Sequence, residues 1–223
     1  MKINKSYEQQ THEDGHYWIS ISDLMTSLLF IFILILAYTI FTFSQKSEAI
    51  TENTTSRTEL LKTLEANLKN NNVDVDIDPQ NGNMRIRADT FFALGAADLS
   101  REGNQKISII AKEIVIQMKK EKFHKAIDTI FIEGHTDNIP IDTIRGGRRW
   151  TNMELSAQRA INTFLAMDSI AHIGQLRNST NKYLFSYSGY ADQRPIATNS
   201  TINGRAKNRR IEFFFALSSP KAN

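Results

Sequence analysis

The chain holds 223 residues, with a net charge of +3 at neutral pH and no cysteine. Without cysteine there is no disulfide, no thiolate nucleophile and no cysteine-based zinc site. The charge excess is mild, and its tight clusters are Arg145-Gly-Gly-Arg148-Arg149 and Arg205-x-Lys207-x-Arg209-Arg210; a nucleic-acid surface wants aromatics interleaved on an exposed face, whereas Phe213, Phe214 and Phe215 continue a strand, so no direct nucleic-acid partner is expected.

Residues 1–17 read as a short polar tail of mixed charge. Leu24 to Phe43 follows, with 16 apolar residues of 20 and no charge. At about 1.5 Å per helical residue this run spans roughly 30 Å, the hydrocarbon core of a bilayer. A cleaved signal peptide would need a basic leader, a shorter apolar run and a small-residue cleavage site. Here the leader is mixed and the run ends Phe-Thr-Phe-Ser-Gln, so one uncleaved span over 18–44 is expected, with Tyr17 and Trp18 as interfacial anchors. The flanking charges, Lys2, Lys5, Glu8, Glu13 and Asp14 before it and Lys46 and Arg57 after it, do not orient the span.

Asp23 stands at the edge of this run with no basic residue within a helical turn. Two readings stay open on the residues alone. Ser20-Ile-Ser-Asp23 fits a capping box, and an acid in a first turn suits the helix dipole. Alternatively, an ionisable residue inside a span faces a protein interior or a water path.

Residues 45–72 carry Leu60, Leu61, Leu64 and Leu68 at helical spacing and are expected to form a helical linker. "VDVDID" (73–78) and "MRIRA" (84–88) alternate with period two around the turn-forming "PQNGN", which predicts a hairpin. Asp98-Leu-Ser-Arg-Glu opens a helix capped by Ser100, with Ile107, Ile110, Ile114 and Met118 on one stripe. A strand is expected over 126–134. A helix is expected over 152–167, with Ala157, Ile161, Phe164 and Leu165 as its inner face. A third core strand over 183–190 and a fourth over 209–217 complete the series. This order predicts a two-layer α/β sandwich over 73–217, a mixed sheet with helices on one face, followed by a tail at 218–223.

Polar residues bunch at the strand ends. His135 has no second histidine at ligand spacing, so a loop histidine without metal is expected. No nucleophile–base pair or paired acid/base carboxylates present themselves, so neither enzymatic activity nor a cofactor is expected. Arg205, Arg209 and Arg210 are expected to hold the fold or flank a groove.

Three motifs then stand in order: E-G-H-T-D (133–137), N-x-x-L-S-x-x-R-A (152–160), and G-x-x-x-x-x-P followed by N-G-R-x-x-N-R-R-I-E (189–212). Together, over roughly 88–217, they resemble the OmpA-like peptidoglycan-binding domain. That resemblance implies that Asp137 and Arg159 grip the diaminopimelate residue of the peptide stem, the acid taking its ammonium and the guanidinium its carboxylate. It also implies a role for Asn152 at the helix start, where a plain N-cap is the competing reading, and Thr136 as a rim contact. The insertion "IDTIRGGRRW" is similar to the longer loop of flagellar stator B-subunits, although Met153 stands where that family tends to have Trp.

"WISISDLMT" (18–26) resembles the start of the span in the MotB family, and still more that of its anti-phage relative, ZorB of the Zorya defence systems. Asp23 is then the proton-carrying group, which Thr26 and Ser27 help hydrate or orient. The resemblance implies an inner-membrane, single-pass chain with a cytoplasmic N-terminus and a periplasmic C-terminal domain. A dimer of this chain would sit inside a ring of MotA/ZorA-like multi-span subunits, anchored to peptidoglycan and signalling to cytoplasmic effectors. The "WISxSDLM" start, the short chain and the lack of a basic run in the tail favour the ZorB version over a flagellar stator; a passive wall tether without ion flux is the third reading.

Overall fold

The computed structural model describes residues 4–141, 143–145 and 148–219. The expected tails at 1–17 and 218–223 therefore lie partly outside the described residues, as do Gly146 and Gly147 of the basic cluster. The chain divides into two compact units, Met1–Ala49 and Ile50–Asn223.

Helix α1 (Asn4–Asn70) runs through a stretch with no proline, and with no glycine after Gly15. In the first unit every side chain from 22 to 41 is exposed, and this is the one helix among the described residues long and apolar enough to cross a membrane. A contiguous apolar surface of this size is covered by lipid or protein in a working molecule. Its threonines bond back to the helix: Thr26 Oγ1 donates to Ser22 O at 2.7 Å and Thr39 Oγ1 to Leu36 O at 2.8 Å. Such back-bonding removes the cost of carrying a hydroxyl in hydrocarbon. The capping-box reading of Ser20 and Asp23 is corrected here: α1 starts at Asn4, so no helix terminus lies at Ser20 for Asp23 to cap.

The second unit begins inside the stretch expected as a linker, and this too is a correction. Leu60, Leu61, Leu64 and Leu68 are fully buried within its core. Each buried leucine contributes roughly 1.5–3 kcal/mol, so this part of α1 is integral to the fold. Arg57 reinforces it, donating from Nη2 to Gln80 O at 2.7 Å and from Nη1 to Phe215 O at 3.3 Å. The helix stops where Asn72 turns left-handed (φ 58°) and Val73 N bonds Leu68 O, a common helix ending.

Strands β1 (Asp76–Asp78) and β2 (Asn83–Arg87) form the expected hairpin, with Asp76 opposite Arg85. Helix α2 (Arg101–Met118) begins at Ser100, whose hydroxyl accepts from Gly103 N, and buries the expected stripe. A short α3 (Glu121–Ala126), not anticipated, leads into β3 (Ile127–His135). Strands β4 (Thr143–Arg145) and β5 (Arg148–Trp150) pair within the insertion. Helix α4 (Asn152–Ala171), β6 (Phe185–Gly189), a second unanticipated helix α5 (Ile202–Asn208) and β7 (Arg210–Leu217) complete the unit.

The sheet order is β1-β2-β7-β3-β6; only β3 and β6 run parallel, as the helical crossover between them requires. It is the expected mixed sheet, except that β6 is an edge strand. Alternation divides its faces: Ile130, Ile132, Ile211, Phe213 and Phe215 are fully buried in the core, while Glu133, Arg210 and Glu212 turn the other way.

The inner face assigned to α4 is corrected. Leu165 is 55% exposed, and Ala157, Ile161 and Phe164 are half-buried, while Ser156, Ala160, Thr163 and Met167 point inward. The cause is a close approach between helix and sheet. A Cβ on Gly134 would lie 2.0 Å from Ser156 O, and one on Gly189 2.3 Å from Ala157 N. At that spacing only small residues fit beneath the first turns of α4.

Candidate functional site

Asp137 follows β3 by two residues and is 6% exposed. Its Oδ1 accepts from Ile139 N at 3.1 Å, and its Oδ2 accepts from Arg209 Nη1 at 2.6 Å. A charge-assisted pair this short, with only 9% and 26% of the two side chains exposed, fixes the carboxylate. The possibility that Asp137 simply pairs with Arg159 is not what is seen: among the described residues its cationic partner is Arg209.

Thr136 lies inside rather than on a rim. It is 4% exposed; its N donates to Ala191 O and its hydroxyl to Asp137 O at 2.9 Å. Asn152 is not the N-cap either. Thr151 takes that place in a full capping box with Glu154, which releases the Asn152 side chain for the loop after β3. Asn152 Nδ2 donates to Asp137 O at 3.1 Å and Ile139 O at 3.0 Å, and Oδ1 accepts from Ile141 N at 3.2 Å. One amide thereby holds residues 137–141 against the start of α4.

Arg159 lies seven residues beyond Asn152 on the same side of α4. It is 3% exposed, and its Nε donates to Ala96 O at 2.8 Å while the guanidinium lies 5.2 Å from the Phe92 ring. Asn162 Nδ2 adds a bond to Ala97 O at 2.8 Å. The segment 93–97 is therefore moored to α4 by two side chains. Arg159 Nη2 also reaches Ala93 O at 3.5 Å.

The structure thus joins Thr136 and Asn152 to Asp137, places Arg159 further along α4, and adds Arg209, which the sequence suggested as holding the fold or flanking a groove. The arrangement is one fixed carboxylate, Asp137, with the Arg209 guanidinium beside it. Asp23 lies in the other unit, exposed on α1.

His135 is corrected from a loop residue to the last residue of β3, 1% exposed. Its Nε2 is 3.6 Å from Glu133 Oε2 and 3.8 Å from Glu212 Oε2, and its ring stacks on Tyr190 with centroids 5.6 Å apart. Burial holds the imidazole below its usual range despite Glu133, with Arg210 adding to the effect. Arg210 Nε donates to Glu212 Oε2 at 2.7 Å, and Arg85 Nε lies 3.2 Å from Glu212 Oε1. The outward alternation of Glu133 and Glu212 was the sequence signal for this second cluster. Among the described residues no group of three or more His, Cys, Asp or Glu could hold a metal ion.

Comparisons with known proteins place this geometry. Motility protein B of Bacillus subtilis is 32% identical over 57% of this chain and 42% of its own length. The chain spans about half the length of the curated relatives it matches first. Zorya protein ZorB of Escherichia coli is 24% identical, over 90% of this chain and 88% of that protein. Among solved structures, the cell wall anchor of the T6SS from Pseudomonas aeruginosa is similar at 28% identity with a TM-score of 0.51, covering 72% of this chain and 99% of that one. The family model of the OmpA family matches residues 91–209. Because that match takes in Asp137, Asn152 and Arg159 and more than half of the 223 residues, the chain belongs to the OmpA family.

Proposed function

We propose that this chain is the inner-membrane, single-pass B-subunit of an ion-driven rotary complex anchored to peptidoglycan, of the ZorB kind. The observation that carries the reading is joint possession of two parts. One is an apolar helix bearing Asp23; the other is an OmpA-family domain whose loops fix Asp137 between Arg209 and the stapled 137–141 segment. The similarity to ZorB runs through both parts.

The wall clamp acts through a zwitterion. The diaminopimelate ammonium meets the Asp137 carboxylate, and its carboxylate meets the guanidinium groups of Arg209 and Arg159. Asn152 and Thr136 act as positioning residues through the loop backbone. The span carries Asp23 as the proton-loading group, because an ionisable residue inside a span faces a protein interior or a water path. The domain lies in the periplasm, where peptidoglycan is, and the N-terminus in the cytoplasm. The partner is a multi-span ring of the MotA/ZorA class around two copies of this chain. Ring rotation signals phage attack to cytoplasmic effectors. No bond-making chemistry is assigned to the chain.

Asp23→Asn tests the motor. It keeps the shape and cannot carry a proton, so phage protection in cells holding the whole operon should vanish; full protection would overturn the ion-driven reading and leave a passive tether. A flagellar stator is the second reading, favoured by the higher identity to motility protein B. Restoration of swimming to a stator-deficient strain, without phage protection, would select it.

A further inference from the structure

The sheet face turned away from the helices holds a cavity of 640 Å³. Three features of its lining converge on one kind of ligand. The first is His135, which is 1% exposed and lines the cavity; among the described residues its Nδ1 has no hydrogen-bond partner, and its Nε2 lies 3.6 Å from Glu133 Oε2 and 3.8 Å from Glu212 Oε2, too long for a formed hydrogen bond. A buried polar atom left unpaired costs about as much as a lost hydrogen bond, so the imidazole has room for a hydroxyl partner.

The second is charge balance. Glu133 and Glu212 face Arg194 and Arg210, with Arg194 Nη1 3.5 Å from Glu133 Oε2 and Arg210 Nε 2.7 Å from Glu212 Oε2. An anion entering here meets two carboxylates, and a cation meets two guanidinium groups. A wholly apolar ligand strands four charges away from water.

The third is aromatic surface. Phe131 and Phe214 stack with centroids 6.0 Å apart, and Tyr190 is held between the His135 ring and the Arg194 guanidinium, the latter 3.6 Å from its centroid. Aromatic faces attract C–H edges, which carry partial positive charge. The carboxylates accept hydrogen bonds, the guanidinium groups donate them, and a neutral imidazole does one of each.

We infer that this open face binds a neutral saccharide, its ring lying on the Phe131 and Phe214 surface beside the Tyr190–Arg194 stack and its hydroxyls bonding Glu133, Arg194 and His135. A sugar hydroxyl both donates and accepts, so it satisfies the paired carboxylates, the guanidinium groups and the unpaired imidazole without bringing net charge. Burial keeps His135 neutral, which suits it to a hydroxyl partner.

The test uses the full chain in amphipol, free of glycoside detergent, with N,N′-diacetylchitobiose and cellobiose as probes in saturation-transfer NMR. Ring C–H protons of at least one sugar should take up saturation from the protein. Arg194→Ala should weaken binding about tenfold, the scale of one charge-assisted hydrogen bond, and Tyr190→Ala, which unseats the Arg194 guanidinium, should weaken it similarly, while Ile116→Ala on α2 should leave it unchanged. Circular dichroism checks that each variant is folded. If Tyr190→Ala fails to fold, Arg194→Ala decides alone, because 56% of that side chain is exposed. Absence of saturation for both sugars at millimolar concentration overturns the proposal, as does undiminished binding in the Arg194→Ala protein or displacement of the sugar by inorganic phosphate. Neither probe carries diaminopimelate, so a negative result leaves the Asp137 clamp standing, and loss of the clamp leaves this site standing.

Discussion

Arg209 reaches across 72 positions of sequence to donate from Nη1 to Asp137 Oδ2 at 2.6 Å. Removing the arginine leaves a 6% exposed carboxylate without its cation. Arg209→Ala should therefore destabilise the protein by about 2 kcal/mol, and adding Asp137→Ala should recover part of the loss, because a stranded buried charge costs more than an absent pair. A double-mutant cycle from urea unfolding measures this; strict additivity would mean the pair is energetically silent.

Sacculus binding separates the ligand groups from the positioning groups. Asp137→Ala combined with Arg159→Ala should abolish co-sedimentation of the protein with diaminopimelate-type sacculi. Unchanged co-sedimentation would remove the wall clamp from the proposed function.

Asn152 makes three hydrogen bonds to the 137–141 segment. Asn152→Ala should lower stability by about 1–3 kcal/mol. It should also weaken sacculus binding, although the side chain acts on the loop and not on the ligand. A variant that loses stability and binds sacculi normally would show that the loop holds its shape unaided.

Gly134 lies under α4, where an added Cβ would sit 2.0 Å from Ser156 O. The obstacle is backbone and cannot swing aside, so Gly134→Ala should cost at least about 3 kcal/mol, the upper range for overpacking. Gly95→Ala is the useful contrast: nothing lies within 4 Å of its Cβ position, so any loss there reflects its positive φ of 70°. Thermal unfolding of the two variants separates collision from backbone strain.

His135 gives stability a pH dependence of known sign. Burial lowers its folded-state pKa below the unfolded value of 6.5. Below pH 6.5 the unfolded chain thus binds a proton that the folded chain resists, so this stability is present above 6.5 and falls as pH drops toward the folded-state value. Unfolding free energies at pH 7.5 and pH 5.5 should differ more in the wild type than in His135→Gln. Equal differences would show that the group is ionised, or its surroundings hydrated, in the folded state.

Much of the second unit was legible because its patterns are local. "VDVDID" and "MRIRA" alternate on both sides of a turn, and the Ile107–Met118 stripe has helical period, so hairpin and helix follow. What escaped depends on contacts distant in sequence. The leucines at 60–68 showed an amphipathic face but not its partner, which is the core itself. In α4 Ile161, Phe164 and Leu165 do not mark the inner face, because the glycines of β3 and β6 draw the helix in over Ser156, Ala160 and Thr163, with Met167 buried further along. Thr151 and Asn152 both have the chemistry of a cap, and the deciding signal was Glu154, three residues after Thr151. Nothing local joins Arg209 to Asp137, and the cluster around His135 depends on register between β3 and β7.

The mooring of α1 within the second unit has a mechanical meaning. Arg57 holds carbonyls of the hairpin turn and of β7, a strand flanked by β2 and β3, and Gly82 leaves room for it: a Cβ there would lie 2.6 Å from Arg57 Nη1. A force applied to residues 57–68 is delivered to the middle of the sheet. To peel this helix away, four leucines must enter water together before any strand is released. The segment behaves as a bolt rather than a rope: load on residues 57–68 reaches the sheet through packed leucines and the Arg57 hydrogen bonds.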